Sequence, residues 1–351
     1  MDWKKFRNPQ LIADILQLLQ SHQQPLRLME VCGTHTMAIG HWGIRKLLPA
    51  TISLISGPGC PVCVTPTSLI DALIELKSVT IATFGDLIRV PGNYGSLELA
   101  RARGLQVKVI YSPLEALELA EKREVILVGI GFETTIPGMA QTLIEARRRN
   151  LKNFSLLPAF KTIPPALRAL LKENDVQIDG FLLPGHVSVI IGLESYRFMT
   201  QEFGIGGIIT GFEPLDIVTA IYHLALQQEN SPRIENEYRR CVSDRGNRIA
   251  RDLMEQVLEV QDAPWRGLGW IPGSGLGIRA EFAEFDASRK YGITLAAGND
   301  PPGCRCGDVL KGKIIPPECP LFARVCQPEN PIGPCMVSSE GSCAAYYKYE
   351  Q

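Results

Sequence analysis

The sequence predicts an α/β protein: two parallel-sheet units with a third, cysteine-rich part. Three observations predict this. Short β-branched runs alternate with helical patterns from about residue 27 to residue 228. The chemically unusual motifs each follow directly on one of those runs. Six of the ten cysteines fall between Cys304 and Cys343, in a stretch rich in Pro and Gly. At 351 residues the chain is too long for one ordinary domain, and 45% hydrophobic content is enough for sizeable cores.

The strand candidates of the first unit are Leu28–Val31, Ile52–Ile55, Val79–Phe84 and Val107–Tyr111. Those of the second are Val125–Ile130, Phe154–Leu157, Gly180–Leu183 and Gly207–Thr210. Helical patterns lie between them at Ser68–Lys77, Pro113–Lys122, Gly138–Arg149 and Pro164–Glu173. The expected units are therefore 27–122 and 123–228, facing each other across a cleft. Arg233–Val260 reads as a charged helix, and Trp265–Gly277 is rich in Gly, with Trp265 and Trp270. Leu11, Ile15 and Leu18–Leu19 give the first 26 residues an apolar helix face, expected to pack with residues 229–351 as a third domain.

The 36 basic and 37 acidic residues nearly balance, which argues against a nucleic-acid partner. No apolar run approaches the roughly 18 residues that span a bilayer, and Met1–Gln20 lacks a signal-peptide core, so no membrane partner is expected. A soluble, cytoplasmic protein is the expectation. In a reducing compartment, clustered cysteines bind metal or do redox chemistry more often than they form a disulfide framework.

In open parallel sheets, ligands bind at the carboxyl ends of the strands. Cys32-Gly33-Thr34-His35-Thr36, Gly57-Pro58-Gly59-Cys60-Pro61-Val62-Cys63 and Gly85-Asp86 follow strands of the first unit. Gly131–Thr135, Pro184–Ser188 and Gly211–Pro214 follow strands of the second. Cys60 and Cys63 have dithiol spacing, with half a zinc site as the alternative. Cys32 reads as a thiolate favoured by His35 and a helix N-terminus, against a buried core cysteine. Glu133 is either an acid–base group or a helix cap, and His186 either a functional or a packing histidine. His22, His41, His223 and Cys241 stand outside any motif. The tail cysteines Cys304, Cys306, Cys319, Cys326, Cys335 and Cys343 suit an iron–sulfur cluster better than a zinc ribbon.

These motifs carry a resemblance. Met29–Thr36, Gly57–Cys63, Thr83–Asp86, Gly131–Thr135, Pro184–Ser188, Gly211–Pro214, Trp265–Gly269 and Val337–Gly341 with Cys343 stand in one order along nearly the whole chain. In this the chain resembles the HypD family of hydrogenase maturation proteins. The resemblance implies two α/β domains and a [4Fe–4S] domain. It implies a complex with the small chaperone HypC, on which an Fe(CN)2CO unit is assembled, with cyanide delivered by HypE and HypF upstream. It makes Cys32 the iron ligand, and Cys60 and Cys63 a redox dithiol between that iron and the cluster. The family's cluster spacing selects Cys306, Cys319, Cys326 and Cys343, leaving Cys304 and Cys335 as extras. Met37 departs from the pattern, because many members carry a second histidine there. The competing classes are a stand-alone redox enzyme of thioredoxin-reductase type and a zinc-stabilised binding protein.

Overall fold

The computed structural model describes residues 3–173, 177–298 and 300–350. Two parallel sheets carry the fold. The first has the order β2-β1-β7-β8-β9, from β1 Leu26–Glu30, β2 Ile52–Ser56, β7 Gly180–Pro184, β8 Gly206–Thr210 and β9 Ile234–Asn236. The second has the order β4-β3-β5-β6, from β3 Thr80–Thr83, β4 Val107–Val109, β5 Val125–Gly131 and β6 Phe154–Phe160. All eight expected strands are present, and helices fill the connections.

β6 and β7 are buried at every residue, as strands covered on both faces must be. In β5, Gly129 is required by packing, because a Cβ there would lie 2.8 Å from the Phe160 ring. The strands are not grouped as expected. β1 and β2 join β7, β8 and β9, whereas β3 and β4 join β5 and β6. The strands of 27–122 are thus shared between the two sheets, and the chain leaves the first sheet after β2 and returns to it at β7.

The N-terminal helix Pro9–Gln20 is capped by Asn8, whose side chain accepts from the Gln10 and Leu11 N–H groups. Its apolar face packs into a core shared with Ile217 and Ile221 of the helix Pro214–Glu229, on the first sheet. The stretch 233–260 is not one helix. It contains β9, then the helix Arg248–Val257, then β10 Leu258–Trp265, which pairs antiparallel with β11 Gly269–Ile278. Gly246 separates β9 from the helix at φ 68°, and its missing Cβ would lie 2.2 Å from the Ile190 carbonyl. The Gly-rich stretch after Trp265 therefore forms the turn and second strand of a β-hairpin.

The C-terminal helix Ser342–Tyr349 packs on the helix Gly33–His41, where a Cβ on Gly40 would meet the Tyr349 ring at 3.0 Å. Arg45 fastens this contact. It donates to fully buried Glu30 (2.8 Å) and to Glu350 (3.2 Å), and lies over the Tyr346 ring. Burial raises the Glu30 pKa, and the Arg45 charge opposes that rise. Arg45→Leu leaves a buried carboxylate uncompensated and is expected to cost about 3 kcal/mol. A carboxyl whose folded pKa is raised destabilises above its unfolded pKa, so the variant recovers stability as pH falls. Denaturant midpoints at neutral and mildly acidic pH measure this, and equal losses at both contradict it.

Candidate functional site

The first sheet gathers most of the site along its carboxyl edge. Cys32 follows β1 and occupies the cap position of the helix Gly33–His41. The Cys60–Cys63 loop follows β2, the neighbouring strand. Gly57 N–H donates to the Glu30 carbonyl (2.8 Å) and Gly33 N–H to the Gly59 carbonyl (3.1 Å). A Cβ on Gly59 would sit 2.3 Å from the Cys32 nitrogen, so only glycine lets the two loops touch. Cys60 and Cys63 are joined as a disulfide, with Cα atoms 5.2 Å apart, and Cys63 N–H donates to the Cys60 sulfur (3.1 Å).

Cys32 is not held as a thiolate. Burial, and then the nearby Glu340 carboxylate, push its pKa up to about 11 against the pull of the Thr34 and His35 N–H groups. His35 gives no charge assistance. Its Nε2–H donates to the Gly211 carbonyl (2.9 Å), its Nδ1 is buried without a partner, and burial lowers its pKa to about 4. A neutral imidazole turned toward Gly211 cannot draw the proton from Cys32. A bound metal ion can, because it competes directly with that proton.

His35 and His186 both pack on Phe212, at ring separations of 4.7 and 4.0 Å. His186 opens the helix that follows β7, keeps an exposed edge, and has its pKa lowered by partial burial. It therefore belongs to the same sheet as Cys32 instead of the opposing one. The strand order explains this, because β7 lies directly beside β1.

Glu133 comes from the second sheet, after β5. Its carboxylate takes the helix-capping position expected of it. Its Oε1 accepts from Ile163 N–H (2.9 Å) at the start of the helix Ile163–Lys172, while Oε2 is buried without a partner. Burial raises its pKa to about 7, which poises it between acid and base at neutrality. Tyr196 is buried and bonded to Ser188 (3.1 Å), and burial pushes its hydroxyl pKa up.

Three charged residues, two of them buried, were missed by sequence reasoning. Lys161 follows β6, is 1% exposed, and burial lowers its pKa to about 8. A lysine closing an apolar strand was its only signal. Glu340 accepts from the Thr34 hydroxyl (2.7 Å), and its neighbour Ser339 donates to Asp86 (2.8 Å), so the tail touches motifs of both sheets. Arg266 donates through its backbone to Val64 (2.7 Å) and through its guanidinium to Thr65 (3.0 and 3.2 Å). It also pairs with Asp300 (3.5 Å), which holds Gly307 N–H (2.8 Å). Arg266 thus joins the disulfide loop to the start of the cysteine-rich tail.

All six tail cysteines, Cys304, Cys306, Cys319, Cys326, Cys335 and Cys343, line one small cavity with Leu321, Phe322 and Met336. The Cys306 and Cys335 sulfurs are 2.6 Å apart, and Ile332 N–H donates to the Cys326 sulfur (3.3 Å). The thiols of Cys304 and Cys343 are pushed upward first by burial, that of Cys335 first by its bond to Cys306. Sulfur donors in an apolar pocket, one already receiving an N–H bond, fit a thiolate-held metal or iron–sulfur group. No helix among the described residues is long and apolar enough to cross a membrane.

The chain is similar to known proteins along nearly its whole length. Residues 8–350 match the family model described as HypD, the hydrogenase formation hypA family. The chain is 43% identical to the hydrogenase maturation factor HypD of Escherichia coli K12, covering 99% of this chain and 97% of that protein. It is 42% identical to HypD of Cupriavidus necator over 99% and 96%. It is 45% identical to the hydrogenase expression/formation protein HupD of Azotobacter chroococcum over 92% and 89%. With the family model matched over nearly its whole length, the chain belongs to the HypD family of hydrogenase maturation factors.

Proposed function

We propose that this chain is the scaffold and electron donor on which the Fe(CN)2CO unit of [NiFe] hydrogenase is assembled, in complex with HypC. Cyanide arrives through HypE, with HypF upstream, and the work takes place in the cytoplasm. The observation that supports this most is the direct contact of the Cys32 loop with the Cys60–Cys63 loop, at adjacent strand ends.

In this reading Cys32 binds the cargo iron and gives up its proton on doing so. His35, His186 and Glu133 orient ligands or carry protons around it. Reduction of the Cys60–Cys63 disulfide takes up two electrons and two protons, and its reoxidation returns the pair. Cys306, Cys319, Cys326 and Cys343 are the proposed holders of a [4Fe–4S] cluster, which when bound supplies one-electron chemistry. Arg266 and Glu340 fix the tail against both loops.

Cys60→Ser tests the dithiol. The variant is expected to fold and to leave hydrogenase inactive in a complementation assay. Peptide mapping of the oxidised wild type should find Cys60 linked to Cys63. Two freely alkylatable thiols, or a fully active Cys60→Ser strain, would remove the dithiol from the account. Co-purification with HypC separates the scaffold from a stand-alone reductase, which needs no such partner.

A further inference from the structure

Three metal-ligating side chains meet at the β9 edge of the first sheet, and neither cysteine site uses them. His223 lies on the helix Pro214–Glu229, Glu235 on β9, and Glu237 just beyond it. Glu237 N–H still donates to the Ile209 carbonyl (2.9 Å), which carries the strand spacing on and puts both carboxylates on one face. One ligand atom from each of the three lies within 4.8 Å of the others.

The spacing is that of ligands around an ion. His223 Nδ1 stands 3.4 Å from a Glu235 carboxylate oxygen and 3.6 Å from one of Glu237. Both contacts exceed the roughly 2.7–3.2 Å of a good N–H···O bond, and one ring nitrogen cannot serve two carboxylates well. Two donors bound at about 2.1 Å to one tetrahedral zinc ion, however, stand ~3.4 Å apart. Glu235 is also held ready. Gln227 Nε2 and Arg233 Nε both donate to its Oε1 (2.7 Å each), which leaves Oε2 facing His223. Outer partners of this kind orient a ligating carboxylate. The His223, Glu235 and Glu237 side chains are 31%, 19% and 25% exposed, so an ion reaches them from solvent. The Arg233 charge offsets one of the two carboxylates, and a neutral imidazole leaves the group net negative. An imidazole nitrogen beside carboxylates suits zinc and its neighbours better than calcium or magnesium, which take oxygen ligands.

We propose that His223, Glu235 and Glu237 bind one divalent ion of the zinc class, with water in the fourth position. The ion ties the edge strand β9 to the helix that covers the sheet. The inference goes beyond the scaffold reading and does not depend on it, because its readout is metal on the chain alone.

Zinc chloride is the probe, on the anaerobically purified full chain. Anomalous diffraction at the zinc edge should place a peak between the three side chains. Equilibrium dialysis at matched free zinc should find one zinc fewer per chain in His223→Ala than in wild type. Zinc on the cysteines is common to both proteins and cancels in that difference. Glu237→Gln should weaken the site at least tenfold, since losing even an outer partner costs about 10–100-fold. Far-UV circular dichroism checks each fold, with His223→Gln in place of His223→Ala if the latter does not fold. No peak at the three residues, equal zinc counts in wild type and the folded His223 variant, or calcium bound there as tightly as zinc overturns the proposal and leaves ordinary surface ion pairs.

Discussion

Cys319→Ala and Cys326→Ala are each expected to bleach the broad visible absorption of the anaerobically purified protein and to take its iron from about four atoms per chain to near zero. Both sulfurs line the shared thiol cavity, both residues are buried, and Cys326 already receives an N–H bond from Ile332. Bonds of that kind stabilise a thiolate once it ligates metal. Six cysteines surround the cavity and a cubane cluster needs four, so two are dispensable. On the proposed ligand set these would be Cys304 and Cys335, and Cys335→Ala is then expected to keep its iron. Unchanged iron in Cys319→Ala, or complete loss in Cys335→Ala, moves the ligand set onto the close Cys306–Cys335 pair.

Cys32→Ala is expected to separate the two metal sites. The variant should fold and stay brown, because the thiol cavity is built entirely from residues 304–343. Hydrogenase activity in a strain relying on it should fall by about a hundredfold or more. Loss of a supporting outer group alone weakens a metal site by ~10–100-fold, and loss of the ligand weakens it further. In the proposed role, the burial that raises the Cys32 pKa means that only a strongly bound metal ion would displace that proton. A colourless Cys32→Ala protein would mean that the two sites are one unit.

The strands were legible because β-branched runs bounded by Gly and Pro leave little else possible, as in Val125–Gly131 and Gly206–Thr210. Their pairing was not, because periodicity carries no information on which strands share a sheet. That is why β1 beside β7 could not be foreseen, and why His186 was assigned to the opposite side from Cys32. The start of β10, Leu258–Val260, was read as the end of a helix because Glu259 and Val260 are both exposed, without inside–outside alternation. The cysteine motifs were readable from spacing. Their electrostatics were not, because the residues that set the Cys32 environment come from far along the chain. Glu340 is brought in by the C-terminal helix, and Gly211 turns the His35 ring away. Lys161 and Arg266 escaped because a lone charge beside an apolar run or a Gly-rich turn ordinarily reads as surface.

The most direct measurement is the infrared spectrum of the chain purified anaerobically with HypC, as wild type and as Cys32→Ala. The wild-type complex is predicted to show CN and CO stretching bands together with cluster absorption. Cys32→Ala is predicted to keep the cluster absorption and lose the bands. Bands at full intensity in Cys32→Ala would contradict the account, and would move the iron from Cys32 to Cys60 and Cys63.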